Sequence, residues 1–218
     1  MKKIRKIFNI ATVSASVAIM MGSNVALADT ITFDPFAGFS SSSSGNIGVE
    51  SGYNIVYEKG DLGFVNIDAP ENCFPECTFS GTNALYSFNT GSIVITRTDS
   101  HSFSFDGLDL AQTFTTLNRS LAVQLTGHYA AGGNVFLTID RVEGAADTFT
   151  TFFYDATTIG FDGLDTLIIS GIGTYPTTEF AVDNIVLTAV PEPEIYAMLI
   201  VGLGFFGMIA NRRKQQGV

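Results

Sequence analysis

Strict alternation constrains this chain most. Leu121, Val123 and Leu125 face one way while Ala122, Gln124 and Thr126 face the other; Val135, Leu137 and Ile139 oppose Phe136, Thr138 and Asp140. A side-chain period of two builds half-buried antiparallel strands, because a helix would scatter the same apolar residues around its axis. Further strand-like runs stand at 31–33, 53–57, 63–67, 84–88, 92–97, 102–105, 148–154, 166–170 and 179–188. Turns containing Gly, Asn or Asp separate them roughly every eight to twelve residues, the spacing of a sandwich. Ala130-Ala131-Gly132-Gly133-Asn134 reads as a hairpin turn and Ser40 to Gly45 as a flexible loop. No stretch between 29 and 190 has a helical period. The expected fold of residues 29–189 is therefore all-β, an antiparallel β-sandwich, and these residues suffice for one domain with a real core.

The two ends follow other rules. Lys2, Lys3, Arg5 and Lys6 precede an apolar run from Ile7 to Met21, and Ala26-Leu27-Ala28 is a small-x-small site. Residues 1–28 thus read as a secretory signal peptide, carried by the Sec translocon and cut by signal peptidase between Ala28 and Asp29; an uncleaved anchor is the alternative. At the other end Pro191-Glu192-Pro193 precedes an apolar segment at about 195–210 and a basic tail at 211–214 containing Arg212, Arg213 and Lys214. The two prolines hold the chain extended. A helix over the apolar segment rises about 24 Å, short of the roughly 30 Å hydrocarbon core, and crosses with bilayer thinning or snorkelling of the three cations. Those cations stay cytoplasmic, which leaves the body outside the inner membrane. Gly202-x-Gly204-x-x-Gly207 fits a dinucleotide fingerprint as a string only, with no strand before it.

This order of proline box, membrane segment and basic stop resembles the PEP-CTERM sorting signal of Gram-negative bacteria over residues 190–214. The resemblance implies that exosortase, an integral membrane enzyme, cuts near Pro191-Glu192-Pro193. Membrane attachment is then transient, and the body passes to the cell surface or extracellular matrix, in the setting of exopolysaccharide and biofilm. A permanent uncut anchor is the plainer alternative.

Charge narrows the partners. Between residues 29 and 190 only Lys59, Arg97, Arg119 and Arg141 face nineteen Asp and Glu, a balance of 4 − 19 = −15. Such a surface repels phosphate backbones, which argues against nucleic acid, and favours divalent cations. Cys73 and Cys77, in Cys-Phe-Pro-Glu-Cys, read as a local disulfide in an oxidising compartment, of modest stabilising effect because the loop is short. Zinc would need further ligands, and the only histidines, His101 and His128, are distant in sequence. There is no Gly-x-Ser-x-Gly elbow and no His-Glu-x-x-His helix. Acid pairs of glycosidase type can be drawn from any nineteen carboxylates, so their presence is no evidence. Tyr129, Tyr154 and Tyr175 are candidates for a sugar-stacking platform, though Trp is absent. The expectation is a non-enzyme that requires no cofactor.

Two features concern acids. Ser104-Phe105-Asp106-Gly107-Leu108-Asp109-Leu110 is echoed by Gly160-Phe161-Asp162-Gly163-Leu164-Asp165-Thr166-Leu167. Two similar turns explain this, with calcium-binding loops as the sharper alternative. In the last strand Phe180 and Val182 share one parity and Ile185 and Leu187 the other, which predicts a bulge at Asp183-Asn184. Ile31-Thr32-Phe33-Asp34, Gly81 to Tyr86, Phe103 to Leu110 and Phe180 to Leu187 occur in an order similar to exosortase-sorted surface proteins with a carbohydrate-binding-module-like jelly roll. That resemblance implies a jelly-roll-like sandwich and a possible structural calcium held by Asp183 with Asp34. The expected role is a matrix or adhesion component; a module binding extracellular polysaccharide is the alternative, and a polysaccharide hydrolase ranks third.

Overall fold

The computed structural model describes residues 27–41, 44–58, 62–66, 81–88, 90–112, 121–141, 149–173, 179–190 and 200–204. Outside these lie most of the predicted signal peptide, Cys73 and Cys77, the Pro191-Glu192-Pro193 box, Arg212, Arg213 and Lys214. The chain divides into two units, residues 28–190 and residues 1–27 with 191–218. In the second unit residues 200–204 are helical, inside the predicted span at 195–210. Among the described residues no helix is long and apolar enough to cross a membrane.

Residues 28–190 form an antiparallel β-sandwich. One layer runs, edge to edge, β3 (Gly45–Glu50), β4 (Tyr53–Glu58), β7 (Ser92–Arg97), β12 (Leu164–Gly171), β9 (Leu121–Tyr129) and β10 (Asn134–Arg141). The other runs β2 (Ser40–Ser41), β5 (Leu62–Asn66), β6 (Ala84–Phe88), β13 (Phe180–Ala189), β8 (Phe103–Gln112) and β11 (Thr150–Phe153). The short β1 (Ala28–Ile31) lies along β13 beyond the end of β6. A single bridge, Leu164 to Phe103, joins the layers. One cluster fills the space between them, including Ile55, Ile95, Phe105, Leu125, Phe161, Ile169, Val182 and Leu187, all fully buried. The period-two residues of each strand place one side chain in two at this cluster, and their burial drives the assembly. A smaller cluster of Ala84, Tyr86, Phe88, Ala111 and Ala181 packs on the other face of β6, β13 and β8.

Several expectations need correction. β3 and β2 form within and just after the stretch read as a Ser/Gly-rich loop, because pairing with β4 and β5 overrides weak intrinsic preference. The first strand spans Ala28–Ile31 rather than 31–33, since Phe33 turns into the left-handed region with φ 61°. The segment 104–110 is no turn; it lies within the continuous strand β8. One helical turn, α1 (Ala156–Ile159), escaped the sequence reading; Asp155 caps it by accepting from the backbone N–H of Thr157 and Thr158, and Gly160 ends it at φ 77°.

The two echoing segments touch. Phe105 N–H donates to the Phe161 carbonyl at 3.0 Å, Ser104 Oγ donates to Asp162 Oδ1, and the two phenyl rings lie 5.9 Å apart. They form one local contact between the layers.

Candidate functional site

The site arises from a gap. On one side of β13, β6 pairs with Phe180–Val182 and β1 with Ile185–Thr188, so Asp183 and Asn184 fall between two collinear neighbours. Phe180, Val182, Ile185 and Leu187 all reach the core, and that requires an extra residue after Val182. The ladder with β8 shifts register there, and Asn184 takes φ 48°, a conformation that Asn tolerates better than most residues. The predicted bulge is therefore present.

Asp183, at the bulge, is fully buried. Its Oδ2 accepts from Thr82 Oγ1 at 2.7 Å and its Oδ1 from the Asn184 N–H at 2.7 Å. Burial pushes its pKa up to about 6; the two hydrogen bonds pull it back, and the neighbouring carboxylates of Asp109 and Asp34 push it further up. The result is a carboxyl for which the charged form is disfavoured unless a positive partner is present.

Asp34 approaches from the 3-10 turn Asp34–Phe36 that follows β1. Glu50 of β3 fixes this corner by accepting from Thr32 N–H at 3.0 Å, Thr32 Oγ1 at 2.8 Å and Phe33 N–H at 3.1 Å. Asn83 then donates to Asp34 Oδ1 from its backbone N–H at 3.3 Å and from Nδ2 at 3.1 Å. On the opposite flank Asn184 Nδ2 donates to Asp109 Oδ2 at 2.8 Å. Two oxygens of this group, Asn83 Oδ1 and Asp109 Oδ1, are buried without a hydrogen-bond partner. Buried acceptors are normally satisfied, and a donor or a cation beside the raised carboxyl would satisfy these two.

The donor set is all oxygen, which suits a hard cation such as calcium. The carboxylates alone do not enclose a site: among the described residues no group of three or more His, Cys, Asp and Glu side chains is arranged to hold a metal. A cation here would need the amide oxygen of Asn83 beside Asp183, Asp34 and Asp109. The residues present fit such an ion in donor chemistry. Sequence reading named Asp183 and Asp34 but missed the roles of Asn83, Thr82, Asp109 and Glu50, which become neighbours only through strand pairing.

The remaining candidates lie elsewhere. Asp106 Oδ2 accepts from Thr188 Oγ1 at 2.6 Å and Asp162 Oδ1 accepts from Ser104 Oγ. Asp99 is bound by Arg97 and by the His101 N–H, and the Arg97 hydrogen bond chiefly holds its carboxyl down at about 2. His128 Nδ1 meets Asn134 Oδ1 at 2.6 Å across the β9–β10 hairpin. The Tyr129 hydroxyl donates to the Gly160 carbonyl, and the rings of Tyr129 and Tyr154 pack on the core. Tyr175 lies outside the described residues.

Comparison with known proteins gives one family match. Residues 189–214 match the PEP-CTERM protein-sorting motif. No curated protein matches the chain. Among solved structures the chain is similar to TmCBM61 in complex with beta-1,4-galactotriose, at 9% identity, TM-score 0.38, covering 73% of this chain and 94% of that one. It is also similar to the family 11 carbohydrate-binding module of cellulosomal cellulase Lic26A-Cel5E of Clostridium thermocellum, at 13% identity, TM-score 0.31, covering 77% and 98%. A third, the agarase AgWH50C, shows 9% identity and TM-score 0.36 over 66% of this chain and 23% of that one.

Proposed function

We propose that the chain is an exported surface protein whose two ends are removed in turn. Signal peptidase cuts between Ala28 and Asp29, exosortase cuts near Pro191-Glu192-Pro193, and the sandwich is delivered as a non-catalytic component of an extracellular, polysaccharide-rich matrix. The observation that carries this reading is the sorting motif matched at 189–214, immediately after the last strand. Mass spectrometry of surface-released protein, from cells with and without the processing enzyme, tests it. The expected product begins at Asp29 and ends near residue 192 only when the enzyme is present; an unprocessed C-terminus at Val218 in both would refute the reading.

The cluster at the bulge supports a structural calcium within this reading. Asp183, Asp34, Asp109 and the Asn83 amide would supply its oxygens and gain a partner for the buried charge. A ligand bound only by the native state raises the melting temperature. Chelator should therefore lower the melting temperature of the exported protein, and Asp183→Asn should remove that dependence. A melting temperature indifferent to chelator excludes the ion.

A second reading, glycan binding at the cell surface, rests on the outer face of the first layer. Val56, Val94, Ile168, Thr126 and Phe136 align in register across β4, β7, β12, β9 and β10. A polar row of Asn54, Thr96, Thr166, His128 and Asn134 runs beside it. Apolar surface flanked by hydrogen-bonding groups suits a sugar chain. Retention on a column of defined matrix polysaccharide, lost on Ile168→Asp, supports it; no retention on any matrix glycan removes it.

A further inference from the structure

We infer that the outer edge of β10 is a pairing site for a second copy of this chain. The phase of the β9–β10 hairpin decides which groups are open. Tyr129 N–H donates to the Gly133 carbonyl at 3.2 Å, and Gly132 N–H to the Tyr129 carbonyl at 2.8 Å. Opposed residues in an antiparallel ladder alternate between hydrogen-bonded and non-hydrogen-bonded pairs. Gly127–Val135, Leu125–Leu137 and Val123–Ile139 therefore bond within the hairpin. Asn134, Phe136, Thr138 and Asp140 turn their N–H and C=O groups away from β9. Among the described residues β10 has no neighbour on that side.

Natural edges are blunted with prolines, lysines, bulges or short length. β10 has none of these. It runs Asn134–Arg141 in unbroken register with β9, and Phe136 is 59% exposed. The apolar row across the first layer ends at this side chain. Backbone donors and acceptors of such an edge are satisfied by another strand, as in β-augmentation.

Self-complementarity selects the occupant. About a two-fold axis through Leu137, antiparallel pairing sets Asn134 opposite Asp140 of the other copy, Val135 opposite Ile139, Phe136 opposite Thr138 and Leu137 opposite Leu137. No like charges meet, and core-facing residues stay on the core-facing side, so the two first layers become one continuous sheet. The rest of the body is strongly anionic and repels its own kind. The sequence of β10 holds one acid, Asp140, and one base, Arg141, so this strand has no net charge of its own. Pairing should strengthen as salt screens the remaining repulsion.

Sedimentation of the exported protein, purified from its host over about a hundredfold range of concentration, tests this. The expected result is a reversible dimer, tighter at higher ionic strength. Thr138→Pro removes an outward N–H without removing any bond to β9, and proline is tolerated at an edge. It should raise the dimer Kd about tenfold or more, because the two-fold axis doubles the defect. Its circular dichroism should be unchanged. Should Thr138→Pro fail to fold, Phe136→Lys places a charge in the seam without touching the backbone and should weaken the dimer likewise. A monomer at every concentration overturns the inference, and so does a dimer whose Kd neither variant changes.

Discussion

At Gly107 the sequence pointed to the right residue for the wrong reason. Its motif reads as a turn requiring left-handed φ, yet it sits in the middle of β8 and is absent from the positive-φ positions. The requirement is space. A Cβ there would stand 2.5 Å from the Phe152 carbonyl oxygen and 2.9 Å from Phe153 Cδ1, because β11 packs directly against β8. Backbone cannot swing aside, so Gly107→Ala should cost about 1–3 kcal/mol, the range for overpacking. At Gly127 the nearest atoms are Leu164 Cδ2 at 2.6 Å and Val135 Cγ1 at 2.8 Å, ends of side chains that can rotate. Gly127→Ala should therefore cost less. Urea titration of both variants checks the order, and a reversed order would contradict the packing argument.

Two tyrosines give a pH prediction at the same scale. Burial pushes Tyr53 and Tyr86 up to about 12, with nearby carboxylates adding to the rise. The unfolded phenol ionises near 10, so between about pH 10 and 12 the unfolded chain holds fewer protons than the folded one. Stability contributed by these groups is full below about pH 10 and is lost as pH rises through that window. Tyrosinate absorbance should appear together with loss of β-sheet signal. Early ionisation of all tyrosines in a folded protein would contradict their burial.

Among the elements, the end of β13 shows how much the sequence discloses. The parity break between Val182 and Ile185 announced the bulge, because only an inserted residue returns both halves to one core. The partners of the bulge were hidden. Thr82 lies 101 residues from Asp183 and Asn83 lies 49 from Asp34, and the pairing of β6 with β13 brings Thr82 to Asp183, a long-range contact that no local pattern encodes. For the same reason β3 is not legible: only Gly45 belongs to the loop expected at 40–45, and Gly45 and Gly48 mask a strand whose order depends on β4. Strong alternation made β9, β10 and most of β13 legible, while context decided the rest. Asn184 allows a direct test of the bulge. Asn184→Gly and Asn184→Ala both lose the hydrogen bond to the Asp109 carboxylate, but only the glycine relieves the left-handed backbone. The alanine variant should be less stable than the glycine variant by about 1 kcal/mol, the usual left-handed penalty. Equal melting temperatures would mean that the bulge relaxes.

Over the whole molecule, the first and last strands of the sandwich are neighbours. Ala28 pairs with Thr188 and Asp29 with Leu187, so both ends of the body leave from the same pole. The proposed signal cleavage site lies inside β1, and it stays unpaired until β13 has been made and exported. Cutting between Ala28 and Asp29 is thus easiest before the sandwich closes. The tail follows the opposite logic. Ala189 pairs with Phe103, and Val190 N–H donates to the Ser102 carbonyl at 3.1 Å, so order in the body extends to the residue before Pro191. A cut in the proline box would leave only a few residues beyond a strand held by β8 on one side and β1 on the other. Exopeptidases need a free, extended end, and paired strands deny it. Carboxypeptidase treatment of the surface-released protein should therefore trim the chain to about Val190 and stop there, as read by intact mass. Trimming past Leu187 with the sheet signal intact would show that the end of β13 is frayed, and the pole would then offer no fixed point from which the body is displayed.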